Sequence, residues 1–455
     1  MLYIISCAYV FSFLYSMHQL IQHKPQLILR FFVFGLPVYI TALSLLNQLG
    51  LGNLMTLFQG FKEIIVISTL GYLIYHQTEK IQFTRIDKLV LFYFIYTSIY
   101  LVLPLGNYGF VQKLLALKSL SFFPFIYFTG RLMNPKLVNL KTSFSHILLV
   151  SIAAGIVLLG EYFTNTHLQT LTGYAEFHVR FFDTEPTGNY GLSWTFETSN
   201  GLKRYASFYG GPLELGVNSI FTLTAILVLY TQRNEDFIPN QLGRIAIVVS
   251  ILSIFLAISR ASLVSYFFVF YVYAIITHKK QWLKLFYGGV AAISIAVLFY
   301  LQGDIYEFII NTINFSDSSS AFHVVQWLDG VEAMVSSPLG LGLGMSGRVS
   351  GAVGDNIGGE NQLVIIGVQA GIIAVLIYLA IYIGLIRLSI QQFKQKKGKI
   401  KQLALCVLLV KIGMIIPTFT ANTESYVYIS YITWFCAGLL NTMSWYESEE
   451  PLKLK

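Results

Sequence analysis

The chain has 455 residues, of which 55% are hydrophobic, 15% aromatic and only 11% charged, with a formal net charge of +8. A soluble globular chain carries roughly 25% charged residues, so this composition argues against a water-facing globule, and its long uncharged apolar blocks are the mark of membrane spans. In such a protein positive charge has to be sorted by side before it is read, and no nucleic-acid surface is inferred from it.

Cys7, Cys406 and Cys436 all fall inside apolar runs. That argues against a disulfide framework or a cysteine-rich metal site, and neither a metal nor any other cofactor is expected. Met1 leads straight into Leu2–Leu20 without a positive segment, which reads as a retained first helix or as a start missing something upstream.

At about 20 residues per crossing, spans are predicted near 2–21, 27–47, 54–76, 88–105, 112–132 and 144–163, then near 212–231, 242–259, 261–278 and 283–302, and finally near 361–387, 400–418 and 425–444. The expected fold is an all-α polytopic integral membrane protein of about 12–13 transmembrane helices. It divides into amino-terminal helices (1–163), a first long loop (164–211), central helices (212–302), a second long loop (303–360) and carboxy-terminal helices with a tail (361–455).

With the amino terminus outside, alternate loops collect most of the lysine and arginine, from Lys24 and Arg30 through Lys80, Arg85, Lys88 and Arg131 to the basic turn Lys394–Lys401. Lys113, Arg180, Lys203, Arg204, Arg260 and Arg348 remain outside. Positive charge marks the cytoplasmic side, so both long loops are expected outside, in a cytoplasmic membrane.

Four of those six outer cations are arginine, which orientation alone does not require. Guanidinium grips phosphate with a planar fork and stays charged in any environment. Arg260, in Ile258-Ser259-Arg260-Ala261-Ser262, lies between two apolar runs with almost no loop. A charge at that depth is expensive and functional by default, although snorkelling to headgroups is the plainer alternative. Arg204 closes in on the seventh span, whereas Arg180 and Arg348 read more easily as ordinary loop charges.

In the second loop, residues 321–336 place Phe322, Val325, Leu328 and Val331 or Glu332 near one face at helical spacing, predicting an amphipathic helix along the outer surface. Pro338-Leu-Gly-Leu-Gly-Leu-Gly344 ends it. Glu360, just before the eleventh span, is a candidate general base, with His323 as its competitor. Its plainer reading is charge complementarity at a helix start. The outer acids also include Glu176, Asp183, Glu185, Glu197, Asp304, Glu307, Asp317, Asp329, Glu332, Asp355 and Glu424, and composition does not choose among them.

Arg204-x-x-Ser-Phe-x-x-Gly-Pro212, Ser259-Arg260-Ala-Ser, Trp327 followed by Pro338–Gly344, and Glu360-Asn361 with Gly371 further on together resemble the O-antigen ligase and polymerase superfamily over roughly residues 200–385. The resemblance implies a GT-C-like membrane glycosyltransferase using polyprenyl-diphosphate-linked glycans outside the membrane, without nucleotide sugar or metal. It assigns Arg204 and Arg260 to the diphosphate, with Arg180 and Arg348 as further candidates. The ligase branch carries histidine where this chain has Glu360, so the resemblance favours the repeat-unit polymerase branch.

The expected function is therefore a polysaccharide polymerase, with lipid-linked donor and acceptor and the bilayer as partners, and a chain-length regulator and flippase as further ones. In that expectation the 303–360 loop covers the site, and Trp194 with neighbouring aromatic residues in 164–211 stacks on sugars. A ligase acting on a second acceptor is the nearest alternative. From another class, a flippase or secondary transporter would place its chemistry on the intramembrane ionisable residues Lys62, Glu63, Lys118 and Lys411.

Overall fold

The computed structural model describes residues 2–78, 80–182, 185–199, 201–231, 236–299, 318–347, 350 and 356–449. Among them there is no strand, only two isolated bridges. Every predicted span falls on a helix. Among the described residues six helical stretches are long and apolar enough to cross a membrane, and two more, Gln241–Ala257 and Arg260–Ile276, are apolar but shorter. The protein is an all-α chain of polytopic membrane type.

In chain order the elements begin with α1 (Tyr3–Ile21), α2 (Ile28–Phe34), α3 (Tyr39–Leu46), α4 (Met55–Tyr75) and α5 (Arg85–Ile99). They continue with α6 (Phe110–Ser121), α7 (Phe123–Leu132), α8 (Leu140–Thr164) and two short helices, α9 (Leu168–Leu171) and α10 (Tyr174–Phe182). The central group is α11 (Pro212–Tyr230), α12 (Gln241–Ala257), α13 (Arg260–Ile276) and α14 (Lys280–Phe299). After α15 (Ser318–Ser336) come α16 (Gln362–Gln395), α17 (Gly398–Gly413), α18 (Ile415–Thr420) and α19 (Val427–Glu449).

Three predicted spans are broken. The 400–418 run divides at Met414 into α17 and α18. The 27–47 run divides at Gly35-Leu-Pro37 into α2 and α3, and the 112–132 run divides at Phe122 into α6 and α7, with Pro124 in the first turn of α7. Proline lacks the N–H that a continuous helix would use and is tolerated only in a helix's first turn. Hydropathy averages across such a break, which is why the sequence shows one span.

At the centre stands α11, buried on all sides among α8, α12, α13, α17 and α19. A helix apolar all round belongs there. α7 and α19 approach most closely, because a side chain at Gly130 would strike the Phe435 carbonyl and one at Gly438 the Tyr127 carbonyl. Small residues at facing positions let backbones meet in this way where no water drives the packing.

α15 is amphipathic as predicted, and its apolar residues face away from the protein. Phe322, Val325, Leu328, Val331 and Val335 are exposed, while Gln326, Gly330 and Met334, on the opposite side, pack on the 358–367 region. That arrangement suits a helix lying at an apolar boundary.

Candidate functional site

At the end of the bundle that carries the long connections there is a cavity of about 380 Å³. Four segments distant in sequence build it: α10, the 210–214 stretch that opens α11, the turn 356–360, and residues 422–427, with Tyr39 and Ile40 closing one wall. Each segment has its own reason to be there.

The stretch 205–210 enters the bundle as irregular backbone, and its polar groups are satisfied from neighbouring helices. Glu161, buried in the last turn of α8, accepts from Leu168 N at 2.8 Å and Ser207 N at 2.7 Å. Ser207 Oγ donates to the Ala154 carbonyl at 2.8 Å, and Gln169 Nε2 donates to the Ser207 and Tyr209 carbonyls at 2.8 and 2.9 Å. Buried irregular backbone persists only with such partners. The serine of Arg204-x-x-Ser-Phe is thus an anchor. It delivers Gly210, Gly211 and Pro212 to the cavity wall, with Pro212 opening α11 at a position where its missing N–H costs nothing.

The turn 357–360 is placed by α16. Asn361 caps that helix through Oδ1, which accepts from Leu363 N at 2.9 Å and Val364 N at 3.2 Å. Glu360, one residue outside the cap, is left to line the cavity. Its side chain opens onto the cavity but is surrounded by protein, and this burial raises its carboxyl pKa above the ordinary value. Gly371 has φ +79°, and a Cβ there would stand 2.5 Å from the Pro338 carbonyl oxygen. The Pro338–Gly344 stretch lies directly against the irregular point of α16, with Leu341 N and Gly342 N bonding to the Val368 and Gln369 carbonyls.

Sequence reasoning missed several residues that line the same cavity. Glu214 is one turn into α11, inside a predicted span, and accepts from Gly210 N at 2.9 Å. Tyr174, His178 and Phe182 form one face of α10, a helix inside what the sequence suggested was a loop. Their i, i+4, i+8 spacing was the available signal. The His178 and Tyr174 rings stack at 3.8 Å.

Asn422 stands where an N-cap would be, yet makes no cap bond. Its buried Oδ1 has no hydrogen-bond partner among the described residues, and the side chain lines the cavity. An asparagine withheld from the role its position favours leaves an unsatisfied amide oxygen beside the cavity.

The predicted arginines are placed differently. Arg260 is the first residue of α13, behind a Ser259 cap, and the Ser259–Ser262 turn packs on Gly216, one turn along α11 from the cavity wall. A cation at a helix N-terminus opposes the helix dipole, so helix stability does not account for it. Arg204 precedes Tyr205, whose N–H donates to the Leu256 carbonyl at the end of α12. The two arginines therefore sit on adjoining segments behind the Gly210–Glu214 wall, and neither lines the cavity. Arg180 turns away from the cavity face of α10 to donate to Asn47 Oδ1 at 3.1 Å.

His323 is on the side of α15 that carries Gln326 and Gly330, the residues packed on Gly359 and Gly358, but it does not line the cavity. Arg348 lies outside the described residues, next to the cavity-lining Gly347, as do Asp183, Asp304, Glu307, Asp317 and Asp355. Of the remaining outer acids, Glu424 accepts from Tyr378, Ser430 and Trp434, and Glu197 accepts from Asn189, so both are consumed inside the protein. Trp194 is exposed and is not part of the cavity wall.

Among the described residues no group of histidine, cysteine or acidic side chains is placed to hold a metal ion. No family model matches the chain, and no curated protein matches it significantly.

Proposed function

We propose that the chain is a membrane glycosyltransferase that polymerises glycan repeat units carried on polyprenyl diphosphate, on the side of the membrane where the two long loops lie. The observation that carries this is the convergence at one cavity of Gly211-Pro212 and Glu360, segments that share a motif resemblance but are separated by about 150 residues of chain. A carboxylate open to the cavity, aromatic walls from Tyr174, Phe182 and Tyr426, and the amide of Asn422 make a chemistry suited to a sugar.

In this reaction an acceptor hydroxyl attacks the anomeric carbon of the donor. Glu360 takes the hydroxyl proton, while the carbon–oxygen bond to the diphosphate breaks and its electron pair leaves with the diphosphate. Arg204 and Arg260, on segments next to the cavity wall, supply positive charge for the leaving group. The cytoplasmic membrane is the natural setting, given the lysine and arginine bias of the opposite loops.

The test is reconstitution in lipid nanodiscs with a lipid-linked repeat unit as sole substrate. Wild-type protein should give a ladder of products, and Glu360→Gln should slow it by about 10²–10⁴-fold, the usual worth of a general base. Arg260→Ala should abolish polymer while leaving insertion intact. No ladder without a second acceptor would make it a ligase, and normal polymer from Arg260→Ala would sink the assignment.

A further inference from the structure

We propose that Tyr39 is an oriented hydrogen-bond donor to the departing diphosphate, held in that role by Lys62. This rests on the glycosyl-transfer reading above and adds to it a part of the molecule that the motif resemblance does not touch. Lys62 lies in α4, and its ammonium has three N–H donors and no acceptor capacity. All three have partners: Tyr39 Oη at 2.8 Å, the Gln59 carbonyl at 3.0 Å and Glu63 Oε1 at 3.0 Å. Tyr39 is therefore the acceptor in its contact with Lys62, and its own proton must point elsewhere.

Tyr39 makes no other side-chain hydrogen bond among the described residues, and it lines the cavity. The phenol oxygen is held by Lys62, its proton has no acceptor among the described residues, and the residue borders the cavity. Lys62 Nζ also stands 4.4 Å from the Tyr39 ring centroid. A cation bonded to a hydroxyl oxygen polarises the O–H and strengthens it as a donor. Lys118 Nζ lies 3.1 Å from the same Glu63 oxygen, so two cations share one carboxylate and the cluster is net positive.

Ionisable groups inside spans are costly and mark function. A neutral donor backed by a buried cation suits an oxygen that gains negative charge as the reaction proceeds. In the proposed step that oxygen belongs to the diphosphate, which receives the electron pair of the broken bond. The acceptor proton goes to Glu360, and Tyr39 shares its own proton without surrendering it. Tyr39 would be a catalytic residue and Lys62 a positioning one.

The experiment compares Tyr39→Phe, Lys62→Met, Lys62→Arg and the Tyr39→Phe/Lys62→Met double variant in nanodiscs. Tyr39→Phe should lower kcat by about 10²-fold, the cost of losing one such donor, with KM for the repeat unit rising by no more than about tenfold. The double variant should be no slower than the slower single one, because both act through one hydrogen bond, and Lys62→Arg should recover part of the loss. Wild-type turnover by Tyr39→Phe, or losses that multiply in the double variant, would overturn the assignment. Lys62→Met removes a partner from Glu63 and can cost folding, so Tyr39→Phe, which keeps the ring and its packing, decides the matter.

Binding gives a second arm. A short prenyl diphosphate and the corresponding prenyl alcohol are titrated into wild-type and Tyr39→Phe protein. Wild type should prefer the diphosphate, and the variant should lose about tenfold of that preference, the worth of one good hydrogen bond. An equal preference in both proteins removes Tyr39 from the site while leaving glycosyl transfer intact. A wild-type protein that neither prefers the diphosphate nor makes a ladder removes the underlying reading and the Tyr39 role with it.

Discussion

Polar groups beside α5 and polar groups beside the cavity are handled in opposite ways. Where α5 begins, Asp87 is fully buried and accepts from Tyr127 at 2.6 Å, Asn441 at 2.9 Å, the Thr84 N–H at 2.8 Å and Arg131 Nε at 3.1 Å. Arg131 gives its remaining nitrogens to Thr442 and the Gln82 carbonyl. Each charged group there has a protein partner, and three helices, α5, α7 and α19, are pinned together. At the loop end, Glu360 and Asn422 line a cavity, and the Asn422 amide oxygen has no partner among the described residues. A closed network supports a fold, whereas polar groups left facing a space are prepared for a ligand.

The comparison can be broken most severely at Asp87. Asp87→Ala should strand Arg131 in the interior and cost about 3–5 kcal/mol, the usual penalty for halving a buried pair. The yield of monodisperse protein and its unfolding temperature should drop together. An unfolding temperature equal to wild type would show that the network is not structural.

At Glu360 the effect should be on rate. The base works deprotonated and burial raises its pKa, so turnover should fall on acidification with a midpoint above about 4.3, the ordinary glutamate value. Stability should move the other way. A carboxyl whose folded-state pKa is raised contributes stability below its unfolded pKa and loses it as pH rises through the folded one. Unfolding temperature should therefore gain from protonation of Glu360 over the range in which activity is lost, and Glu360→Gln should flatten both trends. An acidic limb that persists in Glu360→Gln would assign the base elsewhere, with His178 the next group to test.

Gly371→Ala lies between the two regimes, because it would disturb the frame that holds the cavity. Its positive φ and the Pro338 carbonyl predict a loss of about 1–3 kcal/mol, with turnover of the remaining folded protein also reduced. The smallest effect is expected at Asn422→Ala: unchanged unfolding temperature, and a rise of up to about tenfold in KM for the repeat unit, equivalent to one hydrogen bond. A fall in stability without a change in KM would place Asn422 with the structural group.

Much of this was legible from one dimension. Helix positions followed from apolar runs because each helix must clothe its own backbone in an apolar medium. Glu360 could be singled out because it borders a span. Glu214 could not, because a carboxylate inside an apolar run reads as part of the span until the start of α11 is seen to form a cavity wall. Tyr39 and Asn422 carry no local signal at all, since aromatic rings and amides are common at helix ends. Ser207 and Asn361 did stand out in motifs, and their work is anchoring and capping, which leaves Gly211, Pro212 and Glu360 to present the site.

By itself, then, the sequence determined the class of protein and the succession of apolar helices, both consequences of local composition. Which side chains share a space was decided only by the tertiary structure. Four segments spread over about 250 residues meet at one cavity, with Tyr39 and Ile40 beside them, and hydropathy carries no information about contacts between distant segments. The same packing keeps Arg204 and Arg260 out of the cavity wall and sets the Tyr39 hydroxyl against Lys62. That the Tyr39 oxygen is the acceptor there depends on counting the three donors of Lys62, and their partners come from three different positions in the chain.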